Sequence, residues 1–463
     1  MLDMTARQMI DRFADRSLSP LEYARALVVH IERWEPALGA LYAYDPQALL
    51  EAAALSEARW QAGMPCGLLD GVPVTLKELI ATQGQPIPQG SLASTLVPAS
   101  ADAPVAARLK EAGAIIFAKT TVPDFGMLSS GLSTFHTLAR NPWDLSCNPG
   151  GSSAGAAAAA AAGYGPLHVG TDIGGSVRLP AAWCGLVGFK PSLGRIPVDP
   201  YYTGRCAGPM TRTVGDAALM MNVLALPDAR DATSLPYAPI AWDSAYQRCD
   251  MQGMRVGLLL EPGCGLPPDP EICDAVRTAA DGFAALGAQI VPIRPVMTQE
   301  MLSGLDDYWT ARSWAELRTL PESQQHKVLP FIRAWAGRGR HIDGARALDG
   351  LGQTFALRRA CAALFEAVDA VLSPTPPNIS FPAGNAGPTN DPERSFDHIV
   401  YTVPWNMSEQ PAISINCGFS STGMPIGLQI IAPRFADLMA LKMAATYEVL
   451  RGPMPRWPQP PAT

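Results

Sequence analysis

Two short segments of the sequence combine hydroxyl side chains with unhindered backbone amides. One is Pro149-Gly150-Gly151-Ser152-Ser153-Ala154-Gly155. The other is Gly170-Thr171-Asp172-Ile173-Gly174-Gly175-Ser176-Val177-Arg178. Each reads at least as a tight turn ahead of a helix. The second also suits acyl transfer. A nucleophile that attacks a carbonyl needs N–H groups aimed at the developing oxyanion, and consecutive glycines before Ser176 let such groups converge. A serine hydroxyl is a weak nucleophile until a base takes its proton. No histidine lies near Ser176 in the sequence. Lys77 is the candidate base, because it ends the apolar segment Gly71-Val72-Pro73-Val74-Thr75-Leu76. A lysine is normally a solvated cation, but burial disfavours the charge and frees the amine to accept a proton.

Rival motifs are weaker. Gly151 to Gly155 fits G-x-S-x-G with Ser153 central, the nucleophile elbow of another hydrolase class. An elbow needs a strand directly before it. Asn141 to Pro149 holds Pro142 and Pro149 and no alternating apolar run, which argues against one. His168, His326, His341 and His398 follow it, none in a recognisable triad setting. No G-K-[ST] follows the glycines, and no G-x-G-x-x-G follows a strand.

The elements that must position these residues alternate. Ser19, Pro20 and Glu22 predict a helix start with a capping box, and Tyr23, Leu27, Ile31 and Trp34 give that helix one buried face. His30 lies beside that face and reads as packing. Residues 103–113 predict a helix closed by Gly113, followed by a strand over 114–118. Strands are expected at 255–260, 289–293, 412–416 and 427–431, with helices over 270–286 and 436–450. This alternation indicates an α/β architecture with a mostly covered sheet. The stretch 225–350 is less periodic and reads as an insertion; some of its Trp309, Trp314, Phe331 and Trp335 are expected to line an apolar pocket. The Pro-rich tail 452–463 reads as an extended cover or a disordered end.

Composition narrows the function classes. The 463 residues are 48% hydrophobic and 17% charged, enough for a sizeable core. A net charge of −7 gives no broad footprint for nucleic acid. Nine scattered cysteines, an odd number without CxxC or zinc spacing, suggest free thiols in a reducing compartment, hence the cytoplasm. The N-terminus lacks a signal-peptide core, and the run 154–163 is too short and too Ala-rich to span a membrane.

Taken together, GVPVTLKEL, PGGSSAG, GTDIGGSVRLPAAWCGLVGFKPSLGRIP and GPMTRTVGDAA resemble the blocks of the amidase signature family. The likeness runs through Tyr401-Thr402-Val403-Pro404-Trp405-Asn406 and Pro411-Ala412, and the spacing of Lys77, Ser152 and Ser176 agrees with it. It implies one large α/β domain over 1–463, a mixed sheet with helices on both faces. In that reading 1–65 is an N-terminal helical segment, 66–220 the signature core, 221–350 a variable insertion lining the pocket, and 351–463 the rest of the core. It implies hydrolysis of small-molecule amides, linear or cyclic, with no metal or cofactor. Ser176 resembles the nucleophile, Lys77 the base, and Ser152 a relay after a cis peptide bond with Gly151. Ile173, Gly174, Gly175 and Ser176 resemble the oxyanion hole; Ser153, Asp172 and Arg178 resemble supporting residues.

Three positions depart from the pattern. Glu78 replaces a common aspartate, Ala154 a frequent glycine, and Glu409 a usual glycine in a loop that bears on the pocket. The same blocks occur in the glutaminase subunit of tRNA-dependent amidotransferases, which needs partner chains. An inactive binding protein on this fold is the other alternative, and retention of Lys77, Ser152 and Ser176 together argues against it. A homodimer is compatible with the sequence, which identifies neither the oligomeric state nor the amide.

Overall fold

Pro73-Val74-Thr75-Leu76-Lys77 forms a strand buried along its whole length, and the protein is built outward from it. A computed structural model describes residues 1–461. In chain order its strands are β1 Leu41–Tyr42, β2 Pro73–Lys77, β3 Ile115–Thr120, β4 Leu167–Asp172, β5 Val187–Lys190, β6 Cys206–Thr211, β7 Arg255–Leu258, β8 Gln289–Pro292, β9 Ala370–Pro374, β10 Ala412–Phe419 and β11 Pro425–Ile431. They form one mixed 11-stranded sheet in the order β1-β3-β2-β4-β6-β5-β10-β11-β9-β7-β8. β2 lies parallel to β3 and to β4, so Lys77, Thr120 and Asp172 end their strands at the same edge of the sheet. In open α/β sheets the crevice outside the carboxyl ends of the strands is the usual place for a site.

Two apolar layers cover the sheet. Leu372 and Ile430 belong to one, with residues of helices Pro20–Leu38, Val214–Leu224, Pro270–Ala285 and Asp437–Arg451. Their strand neighbours Val371 and Ile431 belong to the other, with residues of helices Gln299–Leu317, Pro330–Gly337 and Gly344–Ala367. Successive residues of a strand point to opposite faces, so the layers lie on opposite sides of the sheet. Ten of the eleven strands, β2 to β11, lie between Pro73 and Ile431 in one sheet, while 1–65 is mainly helical and adds only the short β1. The segment 221–350 departs from the expected insertion: its β7 and β8 extend the sheet beyond β9. Only its helices past residue 298 form an added layer.

Local signals were largely obeyed. Ser19 Oγ accepts from the Glu22 N–H at 3.0 Å, and Tyr23, Leu27, Ile31 and Trp34 are buried. The expected capping box is half made, because the exposed Glu22 carboxylate stays solvated and returns no bond. His30 Nε2 sits 2.7 Å from the Ala162 carbonyl at the end of the helix Ala154–Ala162. Gly113 and Gly287 end their helices at positive φ. In the tail, Trp457 packs 5.9 Å from Trp143 and under the Arg212 guanidinium, which fits an extended cover; Ala462 and Thr463 lie outside the described residues. Among the described residues, no helix is long and apolar enough to cross a membrane.

Candidate active site

Lys77 is fully buried at the end of β2. Its Nζ lies 2.8 Å from Ser152 Oγ and 3.3 Å from the Thr171 carbonyl. Burial pushes its pKa well below the ordinary 10.5, and the Arg205 guanidinium pushes the same way; Asp172 and Glu78 oppose them. Glu78 is itself buried but turned to other partners. Its carboxylate accepts from the Gln89 and Gly90 N–H groups at 2.7 and 2.8 Å and meets His136 Nε2 at 2.6 Å.

Ser152 precedes the buried helix Ala154–Ala162, and no strand leads into it. The Gly151–Ser152 peptide is cis. A Cβ on Gly151 would lie 2.4 Å from the Ser130 carbonyl oxygen, so only glycine fits. Ser153 points away from the opening. Its Oγ is 3.2 Å from the Thr171 carbonyl and 3.3 Å from the Thr171 N–H, and its own N–H donates to the Ser176 carbonyl at 3.3 Å. It ties the two Gly/Ser segments together.

The loop from Ile173 to Ser176 connects the end of β4 to helix Arg178–Trp183. Ile173, Gly174 and Ser176 line a cavity of about 290 Å³ beside Ser152 and Thr171. Among the described residues, the N–H groups of Ile173, Gly174 and Ser176 meet no acceptor. Gly175 differs from the expected role: its N–H donates to Asp172 Oδ1 at 2.8 Å, which withdraws it from an oxyanion. Its φ of 125° suits glycine, and a Cβ there would strike Thr402 Oγ1 at 2.5 Å.

Asp172 and Arg178 hold this loop from beneath. Arg178 donates from Nε and Nη2 to the Asp172 carboxylate, both at 2.9 Å. It also donates to the Thr402 carbonyl, Gln429 Oε1 and Asn406 Oδ1. All five guanidinium N–H groups are thereby satisfied. Burial by itself would raise the Asp172 carboxyl, but Arg178, then Lys190 and Asn406, outweigh it and hold the group well below the usual carboxylate range. Removing one partner of such a pair strands a buried charge. Asp172→Ala is therefore expected to cost about 3–5 kcal/mol of stability, read as a lower urea midpoint; an unchanged midpoint would show that the pair does not hold the fold.

Several cavity residues had no clear signal in the sequence. Trp309, Phe331 and Trp335 line it as expected, but Trp314 does not. Phe396 completes the aromatic wall, its ring 5.0 Å from Trp309 and 5.7 Å from Trp335. His398 lines the cavity with neither ring nitrogen hydrogen-bonded, and burial holds its pKa down to about 3. His168 is a satisfied core residue, 2.7 Å from Thr75 Oγ1 and 3.1 Å from the Gly165 carbonyl. Arg205 also lines the cavity.

Of the departing positions, Ala154 simply opens the buried helix. Glu409 does not reach the cavity. It has φ 71°, the left-handed region that favours glycine, which accounts for the usual residue there. Its carboxylate is held by Arg358 and Arg434. The substitution thus bears on the frame behind Asn406, not on the pocket wall.

A family model described as "Amidase" matches residues 22–441. The chain belongs to the amidase signature family. An acylamidase of Rhodococcus erythropolis is 33% identical, over 97% of this chain and 95% of that protein. A glutamyl-tRNA(Gln) amidotransferase subunit from Myxococcus xanthus is 35% identical, over 96% of this chain and 97% of that protein. A solved bacterial aryl acylamidase of the same family superposes with a TM-score of 0.88 at 29% identity, covering 96% of each chain. The protein is accordingly an amidohydrolase acting on C–N bonds of amides.

Proposed function

We propose that Ser176 is the nucleophile, Ser152 the relay and Lys77 the base of an acyl-enzyme amidase that accepts amides with an apolar aryl or acyl body. The observation that carries this reading is the 2.8 Å contact between a fully buried Lys77 and Ser152 at the edge of the cavity onto which Ser176 opens. Ser176 Oγ attacks the amide carbonyl carbon, and its proton passes through Ser152 to neutral Lys77. The free N–H groups of Ile173, Gly174 and Ser176 receive the oxyanion. Asp172, Arg178 and Ser153 act as positioning residues. Collapse breaks the C–N bond as the proton is delivered to the leaving nitrogen, and water then releases the acid.

The aromatic wall of Trp309, Phe331, Trp335 and Phe396 supports the apolar substrate class. The likeness to an acylamidase and to an aryl acylamidase supports it as well. The test is fluorophosphonate labelling with mapping of the modified residue, joined to hydrolysis of acetanilide, a linear aliphatic amide, a cyclic amide and glutamine. Label on Ser176 with aryl or aliphatic turnover is expected. Label elsewhere would overturn the assignment. Glutamine as the best substrate, with copurifying chains, would turn the reading to the amidotransferase glutaminase. We place the protein in the cytoplasm, consistent with nine unpaired cysteines. We propose that it works without a nucleic-acid partner, consistent with its negative charge; sedimentation would test the homodimer with which the sequence is compatible.

A further inference from the structure

Arg205 stands at the site because of strand register. β6 runs antiparallel to β4 with Cys206 opposite Asp172. The residue before Cys206 therefore lies beside Ile173, where the loop that carries Ser176 begins. The residue is 9% exposed and lines the cavity. Its Nη1 donates to the Pro200 carbonyl at 2.8 Å, and the guanidinium stands 5.3 Å from the Tyr202 ring centroid. Among the described residues, no carboxylate pairs with it, and Nε and Nη2 meet no acceptor. Arg312 and Glu316 are the other charged groups on the cavity wall, and they neutralise each other, with Nη2 to Oε1 at 2.9 Å. The cavity thus presents one cation without an ion-pair partner to an otherwise largely apolar space, Asp199 acting on it only from a distance. A buried unpaired charge is costly unless a ligand or water completes it.

We propose that Arg205 is a specificity residue that receives a carboxylate, so that the preferred substrates are amides with an apolar body and a carboxylate a few bonds from the scissile C–N bond. The inference rests on the amidase reading above. A carboxylate matches the free edge of a guanidinium with two parallel hydrogen bonds, which a neutral substituent cannot do. The remaining wall of Trp309, Phe331, Trp335 and Phe396 packs the apolar body.

Two matched pairs test it. On the amine side, 4-acetamidobenzoate is compared with 4-methylacetanilide; on the acyl side, N-phenylsuccinamate is compared with N-phenylbutanamide. The readout is the ratio of kcat/KM within each pair, taken at a pH where both have levelled off. Protection of Ser176 from fluorophosphonate by 3-phenylpropionate against 3-phenylpropanol reads the same preference without turnover. The wild type is expected to favour the carboxylate in at least one comparison, chiefly through KM. Arg205→Gln should cut that preference by about tenfold or more, and Arg205→Lys should keep part of it. A role limited to repelling the proton of Lys77 would move the pH limb for both members of a pair and leave the ratio unchanged. That result overturns the proposal, as does a wild type with no carboxylate preference in any comparison. Should Arg205→Gln fail to fold, the wild-type preference and the Arg205→Lys ratio decide. Failure of the amidase reading looks different: no amide is cleaved and Ser176 is not labelled.

Discussion

Ser176→Ala is expected to lower kcat by at least about three orders of magnitude while leaving the fold unchanged, since the loss of a nucleophile removes the covalent route altogether. The fold should survive because the replaced hydroxyl makes no hydrogen bond among the described residues, while the loop is held by other groups. The Ser176 carbonyl accepts from Ser153 N–H, and Asp172 takes the N–H groups of Gly175 and Val177. None of these involves the Ser176 side chain. The measurement is turnover of the best amide in the panel, beside circular dichroism and a thermal midpoint. A variant with more than about a hundredth of wild-type kcat would have kept its covalent route, and the nucleophile would be another residue.

The second large effect concerns Lys77 and acid. A protonated ammonium cannot accept a proton from Ser152, and a neutral amine can. Burial, reinforced by Arg205, places the pKa well below 10.5 against the pull of Asp172 and Glu78. The active form is therefore the one present above that lowered pKa. kcat/KM should rise with pH through one ionisation, level off before 10.5, and fall away as pH drops through the same value. Lys77→Ala should lower the plateau by about 10²–10⁴-fold, the usual reach of general acid–base catalysis, and the residual rate should lose the limb. Lys77→Arg should not restore it, because guanidinium stays charged. If Lys77→Ala kept the limb, His398 would be the first residue to test, since it lines the same cavity.

Burial alone does not single out this lysine. Lys119 and Lys190 are equally buried, and burial holds the pKa of Lys119 down to about 7. Lys119 Nζ is spent on Thr82 Oγ1 and the Ile80 carbonyl. Lys190 is spent on the Pro191 and Gln410 carbonyls. Lys77 differs because the hydroxyl it reaches, that of Ser152, lines the cavity, and that partner is 75 residues away in the chain.

What the sequence by itself determined is what local chemistry can encode. Gly174-Gly175-Ser176 and Gly151-Ser152 declare unhindered amides beside hydroxyls. Val72 to Leu76 declares that Lys77 follows a core strand. Ser19, Gly113 and Gly287 mark where helices begin and end, because caps and left-handed turns act within a few residues. What only the tertiary structure decided depends on pairings between distant strands. The register of β4 against β6 sets Arg205 beside Ile173, and no periodicity in either strand carries that offset. The parallel alignment of β2 with β4 puts Lys77 beside Thr171, and through it near Ser152. Phe396 and His398 sit in a segment without regular pattern and become wall residues only when the helices Gln299–Leu317 and Pro330–Gly337 close over them. Glu409 looked like a pocket substitution because its neighbours in sequence belong to the site. In the fold it turns away to Arg358 and Arg434, because two arginines from separate elements offer a buried carboxylate more than the cavity does.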